Sequence, residues 1–523
     1  MNNGTHDDGR RGKREGAGPR QPSGGAAGGR SSSGGGRRNE QGRERNRGTR
    51  APRQYSEATP AQRLREADPA RLVAFEVLRA VSADNAYANL VLPAAIRRAG
   101  LDRRDAGLAT ELSYGALRGQ GTYDAIISRC MDRTLAEVEP AVLDVIRLGA
   151  HQLLATRIPP HAAVNQTVGL ARAVVGAGAA SFVNAILRRI SEHDLAAWLE
   201  LLTDGADPLE AAAVRYAHPA WIVRALRQSL VSHGRPVEEI DALLEADNAA
   251  PVVNLVALPG LGSLDEALDA GFEPGPLVED SAIGSGGDPG RMADVRSGRV
   301  RVQDVGSQLV SRALAGVPLQ TEEGTPERWL DLCAGPGGKA ALLAALAHES
   351  GASLLANEPT PHRAELVRKA LLAVPEETWQ LRQGDGRTIG EESPERFHRI
   401  LVDAPCSGLG ALRRRPEARW RRTPAEVAQL SILQRELLSA GLDALAPGGV
   451  LAYVTCSPHP AETSAVVADV LRKRQDIVAL DAGSALDAVA LRPLEAGHDQ
   501  QAQLWPHLHG TDAMFLALLQ KKT

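Results

Sequence analysis

Residues 329–339 read WLDLCAGPGGK, in which an apolar segment runs directly into a turn rich in glycine. The apolar segment predicts a buried strand, and the residues after Gly338 predict a helix. Because glycine lacks a β-carbon, Gly335 and Gly337 let the backbone approach another molecule closely. Such a turn at the carboxyl end of a strand is typical of nucleoside-binding α/β domains. Taken alone, it also fits a plain strand-to-helix turn or a nicotinamide-binding loop.

Outward from this motif, segments typical of strands and helices alternate over residues 301–523. The predicted strands are WLDLC, SLLAN, WQLRQ, HRILVD and VLAYVT. Helices are predicted after Gly338, from His362 and from Pro424. This alternation predicts an α/β domain with a doubly wound, Rossmann-like parallel sheet and helices on both faces.

Acidic residues follow two further predicted strands. Glu358 lies twenty positions after Gly338, where a carboxylate can accept hydrogen bonds from the two hydroxyls of a ribose. Asp385, in the sequence QGDG, can bind an adenine amino group. Each acid alone also fits a residue that caps a loop. Their positions at successive strand ends favour a nucleoside cofactor.

The chain has four cysteines, Cys130, Cys333, Cys406 and Cys456. Their wide spacing fits neither a zinc site nor a disulfide scaffold, so we expect a reducing, cytoplasmic setting without a bound metal. Cys406 and Cys456 directly follow predicted strands and should emerge at the edge where the cofactor binds. Cys130 is expected in a helical core, since a cysteine most often acts as a small apolar residue.

The rest of the chain divides by composition into three parts. Residues 1–66 are rich in Gly, Arg and Ser and are predicted to form a disordered basic tail, either an RNA-contacting or a solubilising one. Residues 67–200 show apolar residues at helical spacing and predict an all-α domain. Residues 201–300 predict a small α+β linker module. We expect a monomer with no segment that enters a membrane or directs secretion.

Three motifs carry a family resemblance. The sequences LDLCAGPGGK, VDAPCSGLGALRRRPEARW and YVTCSPHPAE resemble the RsmB/NOP2/Sun family of RNA 5-methylcytosine methyltransferases. The segments ARLVAFEVLRAV, ELSYGALRGQGTYDAII and FVNAILRRI, in that order, resemble the NusB-like RNA-binding fold. Together they resemble the RsmB branch, which implies that the RNA partner is small-subunit ribosomal RNA.

The resemblance implies that S-adenosylmethionine is the cofactor and that one set of residues contacts it. These are Cys333, Ala334, Gly335, Pro336, Gly337, Gly338, Lys339, Glu358, Asp385 and Asp403. It also implies that Cys456 is the nucleophile and that Cys406 serves product release. DNA cytosine methyltransferases use a Pro-Cys thiol instead, and that pattern would nominate Cys406.

Two cysteines suit the chemistry of this reaction. Carbon-5 of cytosine is a weak nucleophile, so an enzyme first adds a thiolate at carbon-6. Asp403 would hydrogen-bond the ring nitrogen, with Lys339 beside the base or capping the loop. After methylation, a base removes the proton at carbon-5 and the cysteine leaves.

An arginine-rich segment follows Cys406. It suits contacts with RNA phosphates and stacking on bases, although a solvated charged loop has the same composition. The predicted RNA-binding residues are Arg413, Arg414, Arg415, Arg419 and Trp420, with Arg421 and Arg422 adjoining them. A non-catalytic RNA-binding or ribosome-assembly factor is the alternative function, and a nicotinamide-dependent enzyme leaves both cysteines unexplained.

Overall fold

A computed structural model of the protein describes residues 67–284, 289–320, 324 and 326–523. The predicted disordered tail, residues 1–66, lies outside the described residues. The first part of the described chain is helical. Its helices are α1 (Pro69–Ala83), α2 (Ala88–Ala99), α3 (Arg103–Arg118), α4 (Gln120–Arg129), α5 (Pro140–Ala155), α6 (Pro160–Val174) and α7 (Ala177–Ile190).

Local sequence signals set the helix boundaries of this domain. The Asp68 carboxylate accepts a hydrogen bond from the backbone N–H of Arg71 at 2.9 Å, and Pro69 occupies the first turn of α1. The apolar faces of the helices share one core, in which Cys130 is buried as predicted. The all-α domain is therefore confirmed.

The next part of the described chain combines four longer α-helices and two short ones with a small sheet. The helices are α8 (Leu195–Thr203), α9 (Pro208–Arg215), α10 (Ala220–Ser232) and α11 (Ile240–Asn248). The strands are β1 (Val253–Ala257), β2 (Glu273–Pro274), β3 (Ser281–Gly284) and β4 (Val300–Val302), with the short helices α12 (Asp265–Asp269) and α13 (Ala293–Ser297). The sheet is antiparallel, with strand order β2-β3-β1-β4.

Both predicted limits of this module fall inside elements of the structure. The limit at residues 200/201 lies within α8, and the limit at 300/301 lies within β4, which pairs with β1. Both limits therefore divide continuous elements, which the composition of the sequence does not delimit.

The C-terminal part is a nine-stranded sheet covered by helices. Its strands are β5 (Arg328–Asp331), β6 (Ser353–Asn357), β7 (Trp379–Arg382), β8 (Phe397–Asp403), β9 (Leu445–Thr455), β10 (Ile477–Leu480), β11 (Gly497–His498), β12 (Gln501–Gln503) and β13 (Phe515–Lys521). Its helices are α14 (Val305–Gly316), α15 (Gly338–Glu349), α16 (Pro361–Leu371), α17 (Ile389–Glu392), α18 (Ala418–Arg421), α19 (Pro424–Ala444), α20 (Ser464–Leu471), α21 (Ala482–Asp487) and α22 (Pro506–His509).

Strand order and direction confirm the Rossmann-like core and correct one detail. The order is β7-β6-β5-β8-β9-β13-β12-β11, and the five strands from β7 to β9 are parallel. The sheet is nevertheless mixed, because β13 runs antiparallel to β9 and also pairs with β10 and β12. The fully buried run of β13 lacks the alternation that identifies a strand from sequence alone.

This topology brings the predicted site residues to one edge. Parallel strands present their carboxyl ends together, so the segments after β5, β6, β7, β8 and β9 meet on the same side of the sheet. Separate apolar cores line the two faces of the sheet and hold these ends in place. Across the described residues, every helix is too short or too polar to span a lipid bilayer.

Candidate active site

The glycine turn after β5 packs tightly against neighbouring elements. Gly337 has a φ of 108°, and a β-carbon on it would lie 2.4 Å from the β-carbon of Ala370. A β-carbon on Gly335 would lie 2.1 Å from a carboxylate oxygen of Glu358. Gly337 therefore requires glycine, whereas a side chain at position 335 would displace the Glu358 carboxylate. The turn consequently lies directly against the end of β6.

Glu358 is oriented at this edge by polar contacts although it is only 1% exposed. One carboxylate oxygen accepts a hydrogen bond from the backbone N–H of Thr360 at 3.0 Å. The other lies 3.4 Å from the guanidinium of Arg363, which also donates to the carbonyl of Gly335 at 2.6 Å. A buried carboxylate oriented in this way can accept hydrogen bonds from ribose hydroxyls.

Asp385 occupies a different environment after β7. Its carboxylate is about half exposed and forms an ion pair with Arg387 at 2.6 Å. Hydrogen bonds from the Arg387 side chain and backbone lower the pKa of Asp385 below its ordinary value. The residue lies at the predicted edge, and its contact with adenine stays a prediction.

Lys339 and Asp403 join the glycine turn to the end of β8. The Lys339 ammonium donates a hydrogen bond to the Asp403 carboxylate at 2.9 Å. Burial disfavours the charged ammonium, but the attraction of Asp403 outweighs it and raises the pKa of Lys339. The pair is thus a fixed ion pair beside the two cysteines.

Sequence reasoning missed the buried acid Asp331, at the end of β5. Burial raises its pKa to about 8, and the neighbouring charge of Asp403 adds to the shift. A single aspartate inside the apolar segment WLDL was the available signal. A carboxyl group that stays protonated near neutral pH is able to donate a hydrogen bond into the site.

The two cysteines predicted to act together are in contact. The Sγ atoms of Cys406 and Cys456 are 3.4 Å apart, and both residues are partly buried. The hydrogen bond from Cys406 lowers the pKa of Cys456, and the Lys339 charge lowers it further against the effect of burial. The same hydrogen bond, together with burial and nearby negative charges, raises the pKa of Cys406 well above its ordinary value. Cys456 therefore ionises first, with Cys406 as its hydrogen-bond donor.

The remaining cysteine of the edge, Cys333, plays a different part. Its backbone N–H donates to the Asp331 carboxylate at 3.3 Å. Burial raises the pKa of its thiol well above the ordinary value. Cys333 therefore remains a neutral thiol in the turn, and its contact with S-adenosylmethionine stays a prediction.

The structure corrects the predicted RNA contacts of Arg413 and Arg414. Both guanidinium groups bind the same two carboxylates, those of Asp304 and Asp512, at 2.5–2.9 Å. Arg413 is only 6% exposed and also donates to the carbonyl of Gly510 at 2.8 Å. These two arginines hold the start of α14 to the segment before β13, so their charges are already neutralised within the protein.

The structure likewise corrects the predicted RNA contact of Arg419. Its side chain is fully buried where three parts of the fold meet. Its guanidinium donates to the carbonyls of Arg118, Ala217 and Asp247 and to the side-chain carbonyl of Asn248, at 2.7–3.3 Å. Burial lowers its pKa to about 10. Arg419 therefore connects the catalytic part to α3, to the turn after α9 and to α11. RNA cannot reach the side chain in this arrangement.

Arg421 contacts the helical domain, and Arg422 contacts the loop that carries Cys406. Arg421 donates to the carbonyls of Val81, Asn85 and Ala86 at 2.6–2.9 Å. Arg422 donates to the carbonyl of Ser407, the residue after Cys406, at 3.0 Å. The C-terminal end of α18 thus connects the helical domain to the active-site edge.

Arg415 and Trp420 are the exposed members of the predicted RNA-binding set. The Arg415 guanidinium lies 5.1 Å from the centre of the Tyr87 ring, and Trp420 is 37% exposed. The rim of the Trp420 ring rests on Gly121, where a β-carbon would lie 2.5 Å from it. Of the predicted RNA-binding residues, these two remain available for phosphate contact and base stacking.

The edge suits a nucleoside cofactor with a charged end. Glu358 offers a buried acceptor beside the glycine turn, Asp385 follows β7, and Asp403 is the last residue of β8. These are the residues that would hold S-adenosylmethionine. Their individual contacts with it remain a proposal.

Replacing Glu358 by alanine should weaken S-adenosylmethionine binding about tenfold or more, because hydrogen bonds to a charged acceptor are lost. Isothermal titration calorimetry with the purified chain measures the change directly. Glu365→Ala, an exposed glutamate on the neighbouring helix α16, is the matched control and should bind as the parent does. Equal affinity in the Glu358→Ala variant would remove Glu358 from the cofactor site.

Comparisons with known proteins agree with this geometry. Residues 318–520 match the 16S rRNA methyltransferase RsmB/F family, and residues 68–192 match the NusB family. A candidate methyltransferase of Mycobacterium tuberculosis is 49% identical over 466 residues, which cover 88% of this chain and 98% of that protein. The ribosomal RNA small subunit methyltransferase B of an Enterobacter species is 32% identical over 378 residues, covering 71% of this chain and 83% of its own length.

A solved structure shares the whole arrangement. The crystal structure of PH0851 superposes with a TM-score of 0.71 at 20% identity, covering 89% of this chain and all of that one. At this identity the likeness concerns the fold alone. The predicted resemblance, the multidomain fold and the use of S-adenosylmethionine are confirmed by these matches taken together.

Proposed function

Since the chain belongs to the RsmB/F family of 16S rRNA methyltransferases, we propose that it methylates carbon-5 of a cytosine in small-subunit ribosomal RNA through a covalent adduct of Cys456. The family supports transfer of a methyl group from S-adenosylmethionine to ribosomal RNA. One observation supports the finer proposal: two thiols 3.4 Å apart, with opposite shifts in pKa, beside the Lys339–Asp403 ion pair.

Addition begins at the thiol with the lower pKa. The Cys456 thiolate forms a bond to carbon-6, and the electron pair of the C5–C6 double bond moves into the ring. Carbon-5 thereby becomes nucleophilic. Bound S-adenosylmethionine supplies the electrophilic methyl group that carbon-5 accepts.

The Lys339–Asp403 pair would stabilise the adduct. An ionised carboxylate only accepts hydrogen bonds, so Asp403 alone cannot donate to a ring nitrogen that gains electron density. The Lys339 ammonium donates one N–H to Asp403 at 2.9 Å, and one of its two remaining N–H groups would donate to that nitrogen. Asp403 would therefore orient Lys339, which acts on the ring as well as on the charge of Cys456.

Release requires a base, and Cys406 fits that task. While Cys456 is a thiolate, its hydrogen bond and its charge both raise the pKa of Cys406. Once the Cys456 sulfur is bonded to carbon-6, these two effects end and Cys406 can lose its proton to solvent. Its thiolate then takes the proton from carbon-5, the C6–S bond breaks, the C5–C6 double bond re-forms and Cys456 leaves as a thiolate.

RNA would be bound by the helical domain and by the exposed residues of the arginine-rich segment that follows Cys406. The match to the NusB family supports an RNA-binding role for residues 68–192. Arg415 and Trp420 lie where that domain meets the catalytic part. This arrangement favours a substrate that contacts both parts at once.

Purified full-length protein incubated with labelled S-adenosylmethionine and unmodified small-subunit ribosomal RNA should place the label in 5-methylcytosine. The RNA is tested both free and as the small-subunit particle, then digested, and the labelled nucleoside is identified by chromatography and mass spectrometry. Label in a different nucleoside would contradict the cytosine-5 chemistry. Intact cofactor binding with no label in either RNA would favour the non-catalytic assembly factor.

A further inference from the structure

A buried carboxylate connects the two cysteine-bearing loops. Glu462 has no exposed surface, and its side chain accepts four hydrogen bonds. The donors are the backbone N–H of Ser407 at 2.8 Å, the Ser407 hydroxyl at 2.5 Å, the Ser457 hydroxyl at 2.7 Å and the side-chain amide of Gln434 at 3.2 Å. Ser407 and Ser457 are the residues immediately after Cys406 and Cys456.

Glu462 is itself fixed from two sides. The hydroxyl of Tyr453, on β9, donates to its backbone carbonyl at 2.8 Å. Gln434, on α19, donates both to the Glu462 carboxylate and to the carbonyl of Pro405, the residue before Cys406. The two serine hydroxyls lie 3.2 Å apart across this carboxylate. A charged acceptor with several short hydrogen bonds in a buried site gives a rigid connection between the loops.

We propose that Glu462 is a positioning residue for the two thiols, because its carboxylate joins the residues that follow Cys406 and Cys456 and so sets their Sγ atoms at hydrogen-bonding distance. The proposal rests on the proposed function for its purpose, but the positioning itself concerns the free protein. Glu462 contacts the cysteine loops rather than the reacting base. Its effect on catalysis therefore passes through the two thiols.

The charge of Glu462 has a consequence for the protons of the site. It is among the negative charges that raise the pKa of Cys406, behind the hydrogen bond with Cys456 and burial. The positive charge of Lys339 instead acts to lower the pKa of Cys456. Glu462 and Lys339 thus act on opposite members of the thiol pair. Together they favour the state in which Cys406 keeps its proton and Cys456 is ionised.

Alkylation of the free protein tests the proposal without RNA or cofactor. Iodoacetamide reacts with thiolates, and mass spectrometry after digestion gives the rate at each cysteine over a series of pH values. In the parent protein, Cys456 should react before Cys406 and at a lower pH. In Glu462→Gln and Glu462→Ala the preference for Cys456 should fall about tenfold, because the hydrogen bond between the thiols is weakened, and the apparent pKa of Cys456 should rise.

Glu426 provides a matched control. It accepts hydrogen bonds from the backbone N–H and the hydroxyl of Thr423, and so caps the start of α19. Glu426→Ala should lower stability by removing a helix cap and leave the order of thiol reaction unchanged. If Glu462→Ala does not fold, the Ser407→Ala/Ser457→Ala double variant removes the hydroxyl donors from both loops and should shift the preference in the same direction.

Two results would overturn the positioning role. One is a folded Glu462→Gln protein whose pH profile and order of alkylation match those of the parent. The other is an equal shift in Glu426→Ala, which would indicate a general loss of stability. Because no RNA is present, a failure of the proposed methylation chemistry would leave the alkylation result intact, so the two hypotheses fail separately.

Discussion

Cys456→Ser should lower the rate of RNA methylation by at least about 10³-fold, because a serine hydroxyl at this position is not ionised and cannot add to carbon-6. The structure supports so large an effect, since the Cys406 hydrogen bond and the Lys339 charge both favour the thiolate of Cys456. Initial rates of methyl transfer to small-subunit ribosomal RNA measure the change. Binding of S-adenosylmethionine should stay close to that of the parent, because the substituted atom belongs to the nucleophile.

Cys130→Ser is the matched control for this substitution. Cys130 is buried in the core of the helical domain and contributes only packing, so its replacement should affect stability far more than the rate of the folded enzyme. Methylation that continues at more than a tenth of the parent rate in Cys456→Ser would show that another group is the nucleophile.

Arg419→Ala should lower the free energy of unfolding by about 3 kcal/mol, because it leaves buried carbonyl groups without their donor. Those carbonyls belong to α3, to the turn after α9 and to the end of α11, so the substitution should separate the helical domain from the catalytic part. Differential scanning calorimetry should show a lower first transition. Limited proteolysis should show faster cleavage near residues 415–422.

Arg415→Ala is the control within the same segment. Its side chain is exposed and contacts the ring of Tyr87, so its loss should change stability little and should instead weaken RNA binding. A folded Arg419→Ala protein with parent-like stability would contradict the structural role of Arg419. The two variants together separate the role of a buried arginine from that of an exposed one.

Much of the catalytic edge follows from local sequence. Local sequence predicts the glycine turn after WLDL, the acid Glu358 and the cysteines after β8 and β9. Each of them follows a strand, and a strand is recognised from its own apolar residues. Apolar runs locate the strands, glycines locate the turn, and parallel topology brings the ends together. The helical domain is predicted for the same reason, since its apolar residues recur at helical spacing.

The arginine-rich segment shows where such reasoning fails. A run of arginines looks the same whether it faces solvent or another domain. The partners that neutralise Arg413 are Asp304 and Asp512, which are 109 and 99 positions away along the chain. Three of the groups that bind Arg419 are backbone carbonyls, which every residue carries. The identity of the neighbouring side chains therefore gives no signal that Arg419 is buried.

Glu462 escaped sequence analysis for a related reason. It lies six positions after Cys456, where a glutamate would ordinarily be assigned to an exposed loop. Only the fold brings Ser407, fifty-five positions earlier, within hydrogen-bonding distance of its carboxylate. Positioning contacts that cross between loops therefore need the structure.

The most direct test of the covalent mechanism is to isolate the complex that Cys406→Ser forms with small-subunit ribosomal RNA and S-adenosylmethionine, and to find which cysteine carries the RNA. This variant should accumulate a denaturation-resistant complex, and peptide mass spectrometry should locate the nucleotide on Cys456. Adding Cys456→Ser to the same protein should abolish the complex. A nucleotide bonded to Cys406 in the Cys456→Ser variant, or a Cys406→Ser protein that turns over normally without any adduct, would contradict the roles assigned to the two thiols.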